Sequence, residues 1–262
     1  MLTEEQKRLR AGKLTASRVG ILMSGDEGKI YDLWREVIGD PDYSPPDLSG
    51  IWAVALGSHT EELNLDWYKK KTGRAAIRRG EVIVHPDFAF AAATLDGWDE
   101  AEAVCIECKH VGGRESLDKV LARYHPQFTW QMIVTGTKHV YASIIEGANE
   151  PLIERIDFDR DYASALWQRA RDFMRLVESM TPPSEMPIIE PPPPAINLYD
   201  MTGDNEWANG AVIWLENFEA AKKKADAEKQ LKAKVPADAR VCRGHGIEIT
   251  RDRASRLSLR AA

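Results

Sequence analysis

Between Arg10 and Met180 the spacing of apolar residues switches repeatedly between the period of a helix and the alternation of a strand. Thr15 or Ser17 can cap a short helix running towards Met23. Residues 51–71 repeat at helical spacing and stop near Gly73, the residue type that most easily adopts the left-handed turn closing a helix. Strands are predicted at 81–85 and 88–94, with Pro86-Asp87 turning between them, and at 103–109. A helix over about 117–135 ends before Gly136, and two more strands follow near 139–145 and 152–158. Asp159 or Asp161 opens a last helix that carries Leu166, Trp167, Ala170, Phe173, Met174 and Val177. Helix, three strands, helix, two strands, helix: this order predicts an α/β fold, a mixed central sheet flanked by helices.

A proline-rich segment from Thr181 to Pro194 divides the chain. Proline fixes φ and lacks an amide proton, so the stretch is predicted to be an extended spacer. The organisation expected is a body over 1–181, a linker over 182–194 and a C-terminal extension over 195–262. In the extension, Trp207, Ala211, Trp214, Phe218, Ala221 and Ala225 form an apolar helical stripe, with lysines at 222–224, 229, 232 and 234. Docking onto the body or another subunit would cover that stripe; a DNA clamp or a contact with a partner protein is the alternative. Gly246–Ile249 and Arg256–Leu259 alternate like a hairpin.

Composition narrows the class. With 44% hydrophobic and 29% charged residues, the chain reads as globular. Its start, MLTEEQKRLR, has no apolar signal-peptide core. No stretch approaches the roughly 20 apolar residues of a membrane helix. A cytoplasmic protein without a membrane partner is expected. A net charge of -6 argues against a passive nucleic-acid coat. Basic groups converging on one groove would still allow an enzyme to handle DNA, and Lys13, Arg18, Arg78, Arg79, Lys109, Arg114, Lys119 and Arg123 are candidates; scattered solvated charges are the alternative. Cys105-x-x-Cys108 has knuckle spacing, but Cys242 is the only other cysteine and no second pair completes a four-ligand site. Structural cysteines are expected.

The strand at 103–109 carries the candidate chemistry. Alternation turns Val104, Ile106 and Cys108 to one face and Cys105, Glu107 and Lys109 to the other. Upstream, Thr94-Leu95-Asp96-Gly97 ends the preceding strand, so a returning hairpin can bring Asp96 beside Glu107. Two carboxylates and an amine suit phosphodiester hydrolysis: oxygen ligands hold Mg²⁺, the metal activates water, and the lysine orients it. An exposed sheet face with a surface ion pair is the competing account of a bare E-x-K. On the 51–71 helix, Glu61 lies with the apolar stripe of Val54, Leu65 and Tyr68, whereas Glu62 lies on the polar side. A core-facing carboxylate needs a cationic partner, either a metal held by Asp96 and Glu107 or an arginine. Tyr124, Gln127 and Gln131 share one stripe of the later helix, as satisfied core polars or as contacts to substrate and metal-bound water.

These pieces, in this order, resemble the lambda-exonuclease/YqaJ family of phage recombination nucleases over roughly Arg10 to Pro183. The residues that carry the likeness are Arg10-Ala-Gly-Lys-Leu-Thr15-Ala-Ser17, Gly57-Ser-His-Thr-Glu61 with Tyr68 and Thr72-Gly73, Thr94-Leu-Asp96-Gly97, Glu107-Cys108-Lys109, and Tyr124-His-Pro-Gln127 running into Gln131-Met-Ile-Val-Thr135-Gly136. The chain departs from the family at Thr94-Leu95, where Ser-Pro is usual, and at Thr129, where many members have a glutamine. The resemblance implies a PD-(D/E)xK restriction-endonuclease-like core; the Pro-rich linker and the C-terminal helix-plus-hairpin extension are not part of the family's minimal nuclease. It implies Mg²⁺ as cofactor, two ions, with Mn²⁺ as a substitute. Asp96, Glu107 and the Cys108 carbonyl would be ligands, and Glu61 would act at the second metal or through its water. Lys109 would position the attacking water, with Gln127 supporting the site. Arg10 and Ser17 would hold the 5′-phosphate of the degraded strand, and Thr94, Tyr124 and Gln131 are further substrate-binding candidates. The implied activity is 5′→3′ digestion of one strand of linear double-stranded DNA, leaving a 3′ overhang for a phage single-strand annealing protein in the bacterial host cytoplasm. Lambda-type members form trimeric rings, so a homo-oligomer is an expectation. A site-specific endonuclease of the same fold and an inactive DNA-end-binding module are the alternatives.

Overall fold

A computed structural model describes residues 3–48, 50–193 and 199–262. The end of the predicted linker and the start of the predicted extension lie outside the described residues. Two units emerge, Met1–Ala195 and Ile196–Ala262.

The first unit opens with α1 (Glu4–Arg10), α2 (Ala16–Met23), α3 (Glu27–Ile38) and α4 (Trp52–Thr72), followed by β1 (Ala76–Ile77), β2 (Val82–Val84), β3 (Ala92–Thr94), β4 (Gly97–Asp99) and β5 (Val104–Val111). Then come α5 (Leu117–Thr135), β6 (His139–Glu146), β7 (Leu152–Asp157) and α6 (Arg160–Glu178). The five-stranded sheet runs in the order β1-β4-β5-β6-β7. β5 and β6 are parallel, joined by α5 as crossover helix, and the other neighbours are antiparallel.

Local chemistry accounts for most of these boundaries. Gly73 and Gly136 close α4 and α5 with φ of +73°, and Asp159 caps α6 by accepting from the Tyr162 amide at 2.7 Å. Pro126 stands inside α5 without ending it. Two helices, α1 and α3, go beyond the predicted elements. α3 could have been read from its Asp26 cap and the spacing Ile30, Leu33, Trp34, Val37, all buried. The two strands predicted over 81–94 shrink to the β2–β3 ribbon. Its connection is wide rather than a tight Pro-Asp turn, because His85, Phe88 and Phe90 pack their rings against Trp167.

The sheet is covered on both faces. On one, Leu65 and Tyr68 of α4 meet Ile106 and Cys108 of β5. On the other, Val120, Phe128 and Met132 of α5 pack with Cys105, Val140, Ala142 and Ile144. A third core joins α2, α3, α5 and α6 around Trp130, Leu22, Leu33 and Phe173. Each such fully buried side chain contributes about 1.5–3 kcal/mol. β5 is therefore a central strand enclosed on both sides, not a strand with one solvated face.

The second unit holds α7 (Asn205–Ala233) and a three-stranded antiparallel sheet of β8 (Val241–Gly244), β9 (Ile247–Arg251) and β10 (Leu257–Ala261). β9 and β10 form the predicted hairpin, and β8 adds a third strand. Glu248 is buried there between Arg243 and Arg260. Among the described residues no helix is long and apolar enough to cross a membrane.

Candidate active site

The β3–β4 turn, the middle of β5 and one face each of α4 and α5 surround a cavity of about 760 Å³. Glu61, Asp96, Glu107, Cys108, Lys109, Tyr124 and Gln127 line it, as do Arg10, Ser17 and Thr94. Residues spread over more than a hundred positions thus meet in one place.

Asp96 reaches the cavity because β4 pairs antiparallel with β5, Gly97 opposite Ile106. The glycine is required by packing. A Cβ at 97 would lie 2.9 Å from both Ala76 Cβ and Leu65 Cδ2. Asp96 Oδ2 accepts the Cys108 amide at 2.8 Å. Loss of water first, and then the nearby Glu107 carboxylate, push the Asp96 pKa well above the usual range. Glu61, two turns into α4, is raised for the same two reasons. Asp99, three residues from Asp96, is fully buried but accepts from Tyr68 Oη at 2.6 Å and is ion-paired with Arg74, whose Nε lies 3.1 Å away, so its role is structural.

Glu107 is buried and held by three donors. Lys109 Nζ bonds Oε1 at 2.6 Å, Gln127 also donates to Oε1, and Gln131 donates to Oε2. Gln131 is fully buried behind this carboxylate and does not line the cavity, so it reaches the site through Glu107. Burial alone would lower the Lys109 pKa, yet the charges of Glu107 and Asp96 outweigh it and raise it. The ammonium also stands 4.7 Å from the centre of the Tyr124 ring.

At the other end, Arg10 donates to Thr94 Oγ1 at 3.0 Å and to Thr15 Oγ1 at 3.4 Å, and Thr15 Oγ1 lies 3.3 Å from Ser17 Oγ. Thr15 sits at the N-cap of α2, but its hydroxyl makes no cap bond and serves this cluster instead. Burial and the neighbouring Arg18 lower the Arg10 pKa.

Sequence reasoning named Arg18 only as a candidate groove cation and did not single out Asn64, and both turn out to be supports. Arg18 donates to the carbonyls of Arg10 at 3.1 Å and Lys13 at 2.5 Å, and pairs with Glu36, which holds the turn that carries Arg10. Asn64 is buried and donates to the carbonyls of Lys109 at 3.2 Å and Ser143 at 2.8 Å, while accepting from Ser143 Oγ at 2.6 Å. That locks α4 onto β5 and β6 one turn from Glu61. A polar residue on an apolar helix stripe is the signal that could have flagged it. Glu62 is solvent-facing and paired with Arg79 at 3.2 Å. The cysteines form no disulfide, and Cys105 and Cys108 are buried.

Three carboxylates around one ammonium in a partly dry cavity leave an excess of negative charge, which adds to burial in raising Asp96 and Glu61. All-oxygen donors suit a hard divalent cation such as Mg²⁺. Among the described residues no three His, Cys, Asp or Glu side chains already stand in metal-binding array. The fit therefore rests on donor type and charge.

A profile of the YqaJ-like viral recombinase domain matches residues 5–138. That is more than half of the 262 residues and spans every candidate site position. The chain belongs to the YqaJ-like viral recombinase family. Among solved structures, the alkaline exonuclease LHK-Exo of Laribacter hongkongensis superposes with a TM-score of 0.55 at 20% identity, covering 68% of this chain and 94% of that one. The same enzyme in complex with dAMP gives 0.54, again at 20% identity, with 68% and 94% covered. A phage-related exonuclease of Haemophilus somnus gives 0.51 at 10% identity, with 64% and 94% covered. At these identities the likeness establishes the fold, the PD-(D/E)xK core expected of a YqaJ-like protein. No curated protein matches the chain significantly.

Proposed function

We propose that this YqaJ-like protein is a Mg²⁺-dependent exonuclease. It removes nucleotides 5′→3′ from one strand of linear duplex DNA and leaves a 3′ single-stranded overhang. The observation that carries this is the meeting of Glu61, Asp96, Glu107 and Lys109 in one cavity that also holds the Arg10–Thr94–Ser17 cluster.

Asp96, Glu107 and Glu61, with the Cys108 carbonyl, are the residues that would hold Mg²⁺. When bound, the ion polarises the scissile phosphate and lowers the pKa of water. Gln127 and Gln131 fix the Glu107 carboxylate, so its orientation is set before substrate arrives. Lys109, kept protonated by its carboxylate neighbours, orients the attacking water and offsets charge developing on the phosphate. Arg10, with the hydroxyls of Ser17 and Thr94, takes a terminal 5′-phosphate, because a guanidinium fork matches its oxygens. Tyr124 shields the Lys109 ammonium on the α5 side. A 3′ overhang is the substrate of a phage single-strand annealing protein in a bacterial cytoplasm, and a ring-shaped homo-oligomer would keep the enzyme on its strand between cuts.

Linear duplex labelled at the 5′ or the 3′ end tests this, with Mg²⁺ or chelator present. Early release of the 5′ label as mononucleotide, only with Mg²⁺ and with closed circular duplex left intact, is expected. Cutting of the circle would make the protein an endonuclease. Duplex-end binding without hydrolysis in Mg²⁺ or Mn²⁺ would make it a binding module.

A further inference from the structure

The cavity around Lys109 has a neighbour. A second cavity of about 730 Å³ opens beside it, and His110 and Tyr124 line both. Charge reverses across the shared wall. In the first cavity, Glu61, Glu62, Asp96 and Glu107 outnumber Arg10, Arg79 and Lys109. In the second, Arg114, Lys119 and Arg123 face Glu115 alone. The Tyr124 ring is the partition, with Lys109 4.7 Å from its centre and the Arg123 guanidinium 5.0 Å. Glu115 is engaged by Arg123 at 2.9 Å. Arg114 and Lys119 are exposed and have no ion pair or side-chain hydrogen bond among the described residues. In a chain of net charge -6, unpaired cations gathered in a concavity next to a phosphodiester-cleaving site call for an anionic ligand.

We infer that this second cavity grips the sugar–phosphate backbone of the DNA a few nucleotides from the bond being cut, an inference that rests on the nuclease function proposed above. The strand itself sets the separation. β5 continues from Glu107 to Val111, roughly 13 Å at about 3.3 Å per residue, before Gly112-Gly113 leads into Arg114. At about 3.4 Å of rise per nucleotide along one strand, that spans roughly three or four nucleotides. Arg114 supplies a bidentate fork and Lys119 a point charge, and both take phosphate without reading bases. Such a grip is independent of sequence, as an enzyme advancing along a duplex requires.

The test uses the full chain carrying Arg114→Ala together with Lys119→Ala. Truncation at these exposed positions leaves the packed core untouched, and an unchanged thermal midpoint verifies it. Affinity for linear duplex is measured without divalent cations over a range of salt, and hydrolysis of the small diester bis(p-nitrophenyl) phosphate is measured with Mg²⁺. The variant should bind duplex about tenfold more weakly, and its salt dependence should be shallower by roughly 1.8, about 0.9 for each lost phosphate contact. Hydrolysis of the small diester should not change. Unchanged duplex affinity and salt slope overturn the inference. The nuclease function fails separately, if the unmodified chain with Mg²⁺ hydrolyses neither linear duplex nor the small diester.

Discussion

Asp96→Asn should make the protein more stable and inactive at once. The side chain sits where water is scarce, accepts one hydrogen bond from the Cys108 amide, and faces the carboxylates of Glu107 and Glu61 with Lys109 as the nearby compensating cation. Asparagine keeps an acceptor for the Cys108 amide and removes the repulsion. Relief of this kind at a functional site contributes about 0.5–2 kcal/mol. For a unit the size of Met1–Ala195, each kcal/mol raises the midpoint by about 2–4 °C. In chelator, then, the variant should melt a few degrees above the parent. Saturating Mg²⁺ should reverse the order, because an ion at 100 times its dissociation constant stabilises the parent by about 2.7 kcal/mol. The sign with pH follows from the raised Asp96 and Glu61. A carboxyl raised in the folded state contributes stability that is complete below its unfolded pKa, about 4, and is lost as pH rises through the folded value. The advantage of the variant should therefore vanish in acid and open as pH rises through that window. Scanning fluorimetry across pH, with and without Mg²⁺, measures all of this. A variant less stable than the parent in chelator at neutral pH, or equal Mg²⁺ shifts in both, would refute the picture of a charge-strained cation site.

Lys109→Met leaves Glu107 with only its amide donors, so stability should fall by up to about 3–5 kcal/mol and hydrolysis by about 10²–10³-fold; a urea midpoint within error of the parent contradicts the pairing. Arg10→Ala should lower the preference for 5′-phosphorylated over 5′-hydroxyl ends by about 10–100-fold, the worth of a charge-assisted hydrogen bond, read as a ratio of kcat/KM; an unchanged ratio removes Arg10 from the pocket. Gly97→Ala should cost about 1–3 kcal/mol through the clash with Ala76 and Leu65. Denaturant titration checks this, and a neutral result would mean that the two side chains give way freely.

By itself the amino-acid sequence determined what local rules can encode. Strand alternation separated Ile106 and Cys108 from Glu107 and Lys109, helical spacing turned Glu61 inward and Glu62 outward, glycines at 73 and 136 closed two helices, and the five motifs stood in family order. Tertiary structure alone decided who answers whom. Both faces of β5 are covered, so Glu107 is a buried acid whose partners, Lys109 apart, come from α5, 20 and 24 residues away. Asn64 finds Ser143 across 79 residues, and Arg18 finds Glu36. The basic cavity beside the acidic one exists because the end of β5 and the first turns of α5 lie against each other. Periodicity records which way a side chain points relative to its own element. It holds no information about the distance to another element, and burial, charge compensation and pKa all depend on that distance.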